Sequence, residues 1–226
     1  MASLSPSPRA AASHRKATAR EHAKNARHAA YRDLVVEAAS EAFARDGVSA
    51  TKMEDLALAA GISLGTLYSV YKGKAEIIDA LHETRLREIH SASVEAEIAE
   101  SDPLEALLAG SRAYLAYFVM RPDYLRMYLD EGANWGVRRS MDRESRRAAV
   151  WNDGVAQLAA IFERGIAQGV FEPGRPDRLA RTMLAMQQVL LADWFEDGMT
   201  QPEPELMDEV EVLLRRTFCT PEWRAH

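Results

Sequence analysis

Apolar residues recur at helical spacing along most of the chain, and short breaks carrying Gly or Pro cut that pattern into segments. Val36, Ala39 and Phe43 fall at i, i+3 and i+7 and predict a helix from about Ala29 to Asp46, ended by Gly47. Thr51 and Glu54 form a T-x-x-E pair whose hydroxyl and carboxylate can each satisfy an orphan N–H at a helix start. Met53, Leu56, Ala57 and Ala60 give the following helix one apolar face. Gly61 stands where a helix C-terminus favours positive φ, and Ile62 plugs the corner. Ser63 caps a second helix of about two turns, Leu64 to Tyr71. Lys74 opens a long helix to about residue 99, with Ile77, Ile78, Leu81, Leu86 and Ile89 on one broad face. His82 and Arg85 interrupt that stripe, which predicts partial burial.

Asp102 and Pro103 are an N-cap and a first helical residue, and the helix they start should run to Arg121 with Pro122 stopping it. Leu104, Leu107, Leu108, Leu115, Phe118 and Val119 supply its buried face. A short helix from Asp123 to about Glu131 carries Tyr124, Met127 and Tyr128. Residues 132–136 read as a loop, and the charge-dense stretch 138–147 reads as a solvated helix face. Trp151, Val155, Leu158, Phe162 and Ile166 step by four or three along a clean amphipathic helix. After a break at 169–176, with Asp177 as the cap, residues 179–195 are apolar almost all round and demand cover on every side. A last helix from Pro202 and Pro204 to about Phe218 presents Leu206, Val210, Leu213 and Leu214. Two such helices from each of two subunits would form a four-helix dimer interface through Met186, Leu190, Trp194, Val210, Leu213 and Leu214.

The fold class is therefore all-α. With 226 residues, 47% of them hydrophobic, the chain can build one or two globular units. No apolar run is long enough to span a membrane, and the absence of an apolar h-region near the start argues against a secretory signal. A single cysteine, Cys219, excludes an internal disulfide framework and thiolate metal clusters and suits a reducing cytoplasm. The net charge of −6 divides unevenly: residues 1–80 hold 11 Lys and Arg against 9 Asp and Glu, and the remainder holds 17 against 25. Such a polarity would present the N-terminal end to phosphates. Residues 1–28 carry Arg9, Arg15, Lys16, Arg20, Lys24 and Arg27 against Glu21. They can be read as a solvated tail, an organellar transit peptide, or a basic arm along DNA. With no Gly or Pro between Arg9 and Gly47, the later part of the arm can extend the first helix.

Helix, glycine-bearing turn and short helix are the grammar of the helix-turn-helix, whose second helix enters the DNA major groove. A packed helical corner with no DNA role would share that local pattern. The flanks add to it: Val35-Val36-Glu37-Ala38-Ala39-Ser40-Glu41-Ala42-Phe43-Ala44-Arg45-Asp46-Gly47 before, and Gly65-Thr66-Leu67-Tyr68 through Lys74 after. Together these stretches resemble the N-terminal domain of TetR-type (tetracycline-repressor family) transcriptional regulators, strongly over about residues 29–89. The sequence departs from that family's usual pattern at Leu64, where lysine is common, and at Ser69-Val70, where an aromatic/histidine pair is common. Three segments are expected: an arm 1–28, a DNA-binding domain 29–89 with its helix-turn-helix at 52–71, and a ligand-binding and dimerisation domain 90–226.

Candidate DNA contacts follow from position. Ser63 and Thr66 sit on the first turn of the recognition helix, where hydroxyls reach bases or phosphates. Gly65 permits close backbone approach, and Tyr68 can reach a phosphate. Lys52, Lys74 and Thr51 lie at helix starts, where charge or hydroxyl adds to backbone N–H groups. Leu64, Ser69 and Val70 are variable readers, and Leu64 and Val70 can equally pack. The resemblance implies a body pocket for a small-molecule effector. Its candidate walls are Tyr114, Tyr117, Phe118, Tyr124, Met127, Tyr128, Trp151, Met183 and Gln187. With no buried charge cluster in view, the expected effector is uncharged or amphipathic.

No phosphate loop, H-E-x-x-H or G-x-S-x-G motif is present, so no enzyme, metal or cofactor is expected. Cys219, with only His226 near it in sequence, reads as an inert thiol. The expected function is a cytoplasmic, homodimeric repressor released from a palindromic double-stranded DNA operator by its effector. The alternative is a helical protein–protein adaptor using 179–218 as its interface.

Overall fold

The uninterrupted run from Arg9 to Gly47 forms one helix, α1 (Pro8–Asp46), so the basic arm and the first core helix are continuous. The computed structural model describes the backbone of residues 8–130 and 146–224 and the side chains of residues 20–130 and 147–224. The loop expected at 132–136, the charged stretch 138–145 and His226 lie outside the described residues. Nine α-helices are formed among the described residues: α1, α2 (Met53–Ala59), α3 (Leu64–Val70), α4 (Lys74–Ile98), α5 (Pro103–Val119), α6 (Pro122–Asp130), α7 (Arg146–Ala167), α8 (Pro176–Glu196) and α9 (Glu203–Phe218). They fall into two compact units, residues 1–78 and 79–226, so the division lies inside α4 and earlier than the expected residue 89.

In the first unit α1, α2 and α3 pack on one another. Val36, Ala39 and Phe43 of α1, Leu56 and Ala57 of α2, and Leu67 and Val70 of α3 are buried, as their spacing requires. Gly47 closes α1 at φ +79°, its N–H donating to the Phe43 carbonyl at 2.9 Å. The start of α2 differs from the expected T-x-x-E box. Lys52 is the N-cap, its backbone N–H donating to Asp55 Oδ2 at 3.0 Å, while Thr51 is buried and donates to the Gly47 carbonyl at 2.8 Å. The chain leaves α1 through a turn, and a hydroxyl buried in that turn finds its acceptor there rather than in α2.

In the second unit α7 packs along α8, and α5 contacts α6, α7, α8 and α9. Asp102 caps α5 through Oδ1, accepting from the N–H of Leu104 at 2.8 Å and of Glu105 at 3.0 Å, with Pro103 in the first turn. The helix starting at Pro176 has Arg175, not Asp177, at its N-cap position; Asp177 pairs with the Arg175 guanidinium at 2.7 Å. The break at 169–175 is tied to the end of α9 by Glu172 N–H to the Phe218 carbonyl at 2.8 Å and Thr220 N–H to the Val170 carbonyl at 3.0 Å. Cys219 is buried at that junction, and burial pushes its thiol up to about 11.

The expected stripe of α4 is buried more completely than its polar residues suggested. His82 is fully covered, its Nδ1 3.2 Å from the Tyr124 hydroxyl, and Arg85 is covered and donates to Glu88 at 3.1 Å. The dimer expectation needs correction at three positions. Trp194, Val210 and Leu214 are buried within the chain itself, with the Trp194 indole donating to the Gln201 carbonyl at 2.9 Å. Helix α8 finds cover on α5, α6, α7 and α9, so its apolar girth is consumed internally except around Val189, which is 59% exposed with Met186 and Leu190 partly exposed beside it.

Candidate functional site

The turn between α2 and α3 is built by hydrogen bonds that fix both helices. Gly61 adopts φ +66°, which a residue bearing Cβ resists. Ile62 N–H reaches the Ala57 carbonyl at 3.0 Å and Gly61 N–H the Leu58 carbonyl at 3.1 Å, the pair of bonds that closes a helix through a left-handed residue. Ser63 Oγ accepts from the Thr66 N–H at 3.1 Å and lies 2.8 Å from the Thr66 hydroxyl. Thus α3 is capped at its first residue.

One face of α3 is anchored. Leu67, Val70 and Tyr71 are buried, Tyr71 plugging the core and Val70 packing rather than reading. Arg32 of α1 clamps this end: its guanidinium donates to the Val70 carbonyl at 2.9 Å and stacks over the Tyr71 ring at 4.3 Å. Arg32 is not among the sequence candidates, because a separation of 38 residues along the chain gives no local signal of the contact. The opposite face is open. Ser63, Gly65 and Ser69 are exposed, Tyr68 is 50% exposed, and Leu64 and Thr66 are partly exposed. Nothing but Ser63 Oγ, at 3.9 Å, lies near the place a Gly65 Cβ would take, so this segment of backbone is approachable.

Two expected phosphate contacts need correction. Lys74 Nζ donates to the carbonyls of Val48 at 2.6 Å and Thr51 at 2.8 Å, with that of Ser49 at 3.4 Å. An ammonium has three donors, and the turn between α1 and α2 takes all of them. Thr51 is 2% exposed and its hydroxyl is engaged inward. Lys52 remains exposed at the start of α2.

The arm lies against the reading face. Arg20, Lys24, Arg27, His28 and Tyr31 of α1 line one groove with Thr66 and Ser69 of α3. Arg20, Lys24, Arg27 and Tyr31 recur at steps of four, three and four, so a single helical face carries three cations toward the two hydroxyls. Tyr31 joins this set although no motif in the sequence marks it.

The second unit holds a cavity with about 60 Å³ open to the centres of water-sized molecules. Tyr114, Trp151, Met183 and Gln187 line it as expected, joined by residues of α4 and α7. Tyr117, Phe118, Tyr124, Met127 and Tyr128 do not line it. The aromatic members stack together instead, Phe118 on Tyr124 at 5.8 Å and on Tyr128 at 5.2 Å, with Tyr128 accepting from Gln188 at 2.6 Å. Helical spacing made all of them buried, but α6 folds its own aromatics onto α5 and fills that space.

On the cavity wall the sequence candidates omit Glu97. It is 4% exposed on the cavity wall, and burial pushes its carboxyl up to about 7 against the pull of a Gln157 hydrogen bond and the Arg164 charge. The expectation of a cavity without buried charge is therefore corrected. A signal was present: Leu86, Ile89, His90, Ser93, Val94 and Glu97 continue the inward stripe of α4 in steps of three and four.

A short capped helix with one anchored face, an open face of hydroxyls and a basic flank defines a helix-turn-helix DNA-binding protein. Residues 35–81 match the family model for bacterial regulatory proteins of the tetR family. The chain is 26% identical over 166 residues to the HTH-type transcriptional regulator YhgD of Bacillus subtilis, covering 71% of this chain and 82% of that protein. The crystal structure of the TetR family regulator PfmR from Thermus thermophilus superposes at TM-score 0.63 and 28% identity, over 80% of this chain and 97% of that one. The transcriptional regulator FadR of Bacillus subtilis, in complex with stearoyl-CoA, gives TM-score 0.68 at 19% identity, over 80% and 96%. Residues 35–81 therefore carry the tetR-family regulatory domain, and the chain is similar over most of its length to TetR-type transcriptional regulators.

Proposed function

We propose that the chain is a cytoplasmic homodimeric repressor that binds a palindromic operator through α3 and is released by a small molecule held in the cavity of the second unit. The observation that carries the DNA half is the two-faced recognition helix: Leu67 and Val70 fix α3 to the fold, and Ser63, Thr66, Tyr68 and Ser69 stand clear of it. Thr66 and Ser69 read base edges, Leu64 contacts apolar groups in the groove, and Gly65, Tyr68 and Lys52 meet phosphates or sugar. The basic arm follows the phosphate backbone, with residues 8–28 forming the N-terminal part of α1. Val189, with Met186, Leu190 and Leu213, contributes the dimer face.

The release half rests on α4. Its residues line the cavity, and the same helix begins in the DNA-binding unit. A ligand that favours one arrangement of α4 biases the DNA-competent state by its differential affinity for the two. Stearoyl-CoA belongs to the FadR structure; among the described residues the cavity here is lined by a glutamate and by no lysine or arginine, so its effector follows from its own walls. Footprinting of the purified chain on DNA upstream of its own coding sequence tests the reading. Two protected half-sites about one helical turn apart, or a multiple of that, support it; uniform protection along the fragment contradicts it.

A further inference from the structure

The cavity of the second unit has polar side-chain atoms on its walls that the protein leaves unpaired. Glu97 Oε2, Gln187 Oε1 and His90 Nε2 are buried and have no hydrogen-bond partner in the protein, and all three residues line the same space. Gln187 has its other end committed, with Nε2 donating to the Ser111 hydroxyl, so its orientation is held and its carbonyl oxygen is the part left over. A buried polar atom without a partner costs as much as the hydrogen bond it lacks, and a buried carboxylate costs more. The Tyr114 hydroxyl on the same wall is likewise unpaired and can donate as well as accept, and such atoms around one cavity call for a molecule that supplies what they need. The amide oxygen can only accept, as can an ionised carboxylate, and one imidazole nitrogen accepts in the appropriate tautomer.

The fold also makes room for the carboxylate. Helix α5 passes Glu97 at Gly110, where a Cβ would stand 2.4 Å from Glu97 Oε1 and 2.7 Å from its Cγ. No other residue type leaves the glutamate in that place. Much of the remaining wall is apolar, with Leu86, Ile89, Trp151, Val155 and Leu158 around the polar atoms. An aliphatic or aromatic body would fill this part by area burial alone.

We propose that the effector of this chain is a lipophilic primary or secondary amine, whose ammonium donates to Glu97 and whose apolar body lies against Trp151 and the leucines. This rests on the reading of the cavity as the effector site and names the chemistry of its ligand. An ammonium brings two or three N–H donors on a cation, matching the Glu97 carboxylate and the free Gln187 carbonyl oxygen. A carboxylic acid would bring a second negative charge to Glu97, and an alcohol would offer one donor and no charge.

Isothermal titration of the full chain with 4-phenylbutylamine, 4-phenylbutanol and 4-phenylbutyrate at pH 8 tests this. The three share one apolar body and differ only in the head group. The amine is expected to bind about tenfold tighter than the alcohol, as a charge-assisted hydrogen bond at a buried acid supplies, and the acid to bind weakest. Glu97→Gln keeps the shape and the Gln157 contact and should bring amine and alcohol to within about threefold of each other. Gly110→Ala, which crowds the carboxylate from the other side, should act in the same sense, and it serves where the first variant fails to fold. Equal binding of amine and alcohol by the native chain, or tightest binding of the acid, overturns the amine assignment while leaving the cavity as an effector site. Failure of all three to bind overturns both.

Discussion

The ammonium of Lys74 donates to the backbone carbonyl of Thr51 across 2.8 Å, joining the first residue of α4 to the turn that precedes α2. That bond, with its companions to Val48 and Ser49, makes Lys74 part of the scaffold that holds the helix-turn-helix. Lys74→Ala should lower unfolding free energy by about 2 kcal/mol, the contribution of hydrogen bonds from a charged donor. It should weaken binding to every DNA sequence through misplacement of α2 and leave the slope of affinity against salt unchanged. Urea unfolding and a salt titration of DNA binding together decide; a flatter slope with unchanged stability would put Lys74 back on a phosphate.

The groove shared by the arm and α3 leads to the opposite expectation. Replacing Arg20, Lys24 and Arg27 together by alanine should reduce the magnitude of the log–log salt slope by about 0.9 for each phosphate no longer neutralised, close to 3 in all. Discrimination between operator and unrelated duplex should change little, since these side chains neutralise phosphates. The measurement is fluorescence anisotropy across a salt series, and an unchanged slope shows that the arm does not touch DNA.

Thr66→Ala acts on preference. Its hydroxyl stands at the N-terminal turn of α3, 2.8 Å from Ser63 Oγ, and removing one base-edge interaction costs about 1–3 kcal/mol at one operator position. Binding selection from a randomised duplex pool should show relaxed preference at one base pair per half-site. An identical selected consensus places Thr66 in capping alone.

How much of this was legible in the chain differs from element to element. The continuity of α1 could be read from the missing Gly and Pro between Arg9 and Gly47, and the corner at Gly61 from its place after Ala57 and Ala60. Lys74 could not be read, because its acceptors are backbone carbonyls 23 to 26 residues away, and every residue type offers that group. Spacing identified Tyr117, Phe118, Tyr124 and Tyr128 as buried but could not separate wall from filling, which depends on how α6 folds back on α5. Trp194, Val210 and Leu214 were legible as apolar and not as covered, since α8 and α9 spend those faces inside one chain. Glu97 lies near a helix end, and in the sequence only its register with Ile89, His90 and Val94 marks it as inward.

Glu97 also gives the fold a pH signature. Its carboxyl is raised to about 7 from the ordinary 4.5, chiefly by burial, so the folded chain holds a proton that the unfolded chain releases between those values. The stability tied to that proton is complete below about pH 4.5 and is lost as the pH rises to 7. Glu97→Gln removes the loss. In the absence of ligand it should match the native chain at pH 4.5 and exceed it above pH 7 by on the order of 3 kcal/mol. Urea midpoints at the two pH values check this, and a gap that does not change with pH contradicts it.

The proposed dimer face is smaller than the apolar girth of α8 suggested. Val189→Glu places a charge where 59% of the residue is exposed and where a second subunit would bury it. Sedimentation velocity at micromolar concentration should show a dimer for the native chain and predominantly monomer for the variant. A dimer in both cases moves the interface elsewhere.

The central claim is that α3 reads DNA and the arm holds it there, and the affinity of the full chain for two duplexes tests it most directly. One duplex is taken from upstream of its own coding sequence and the other is unrelated in sequence, each titrated across a salt series. The account predicts preference for the first by about a thousandfold or more at physiological salt, with a steep fall in affinity for both as salt rises. Equal affinity for the two duplexes, or affinity that does not respond to salt, would contradict it.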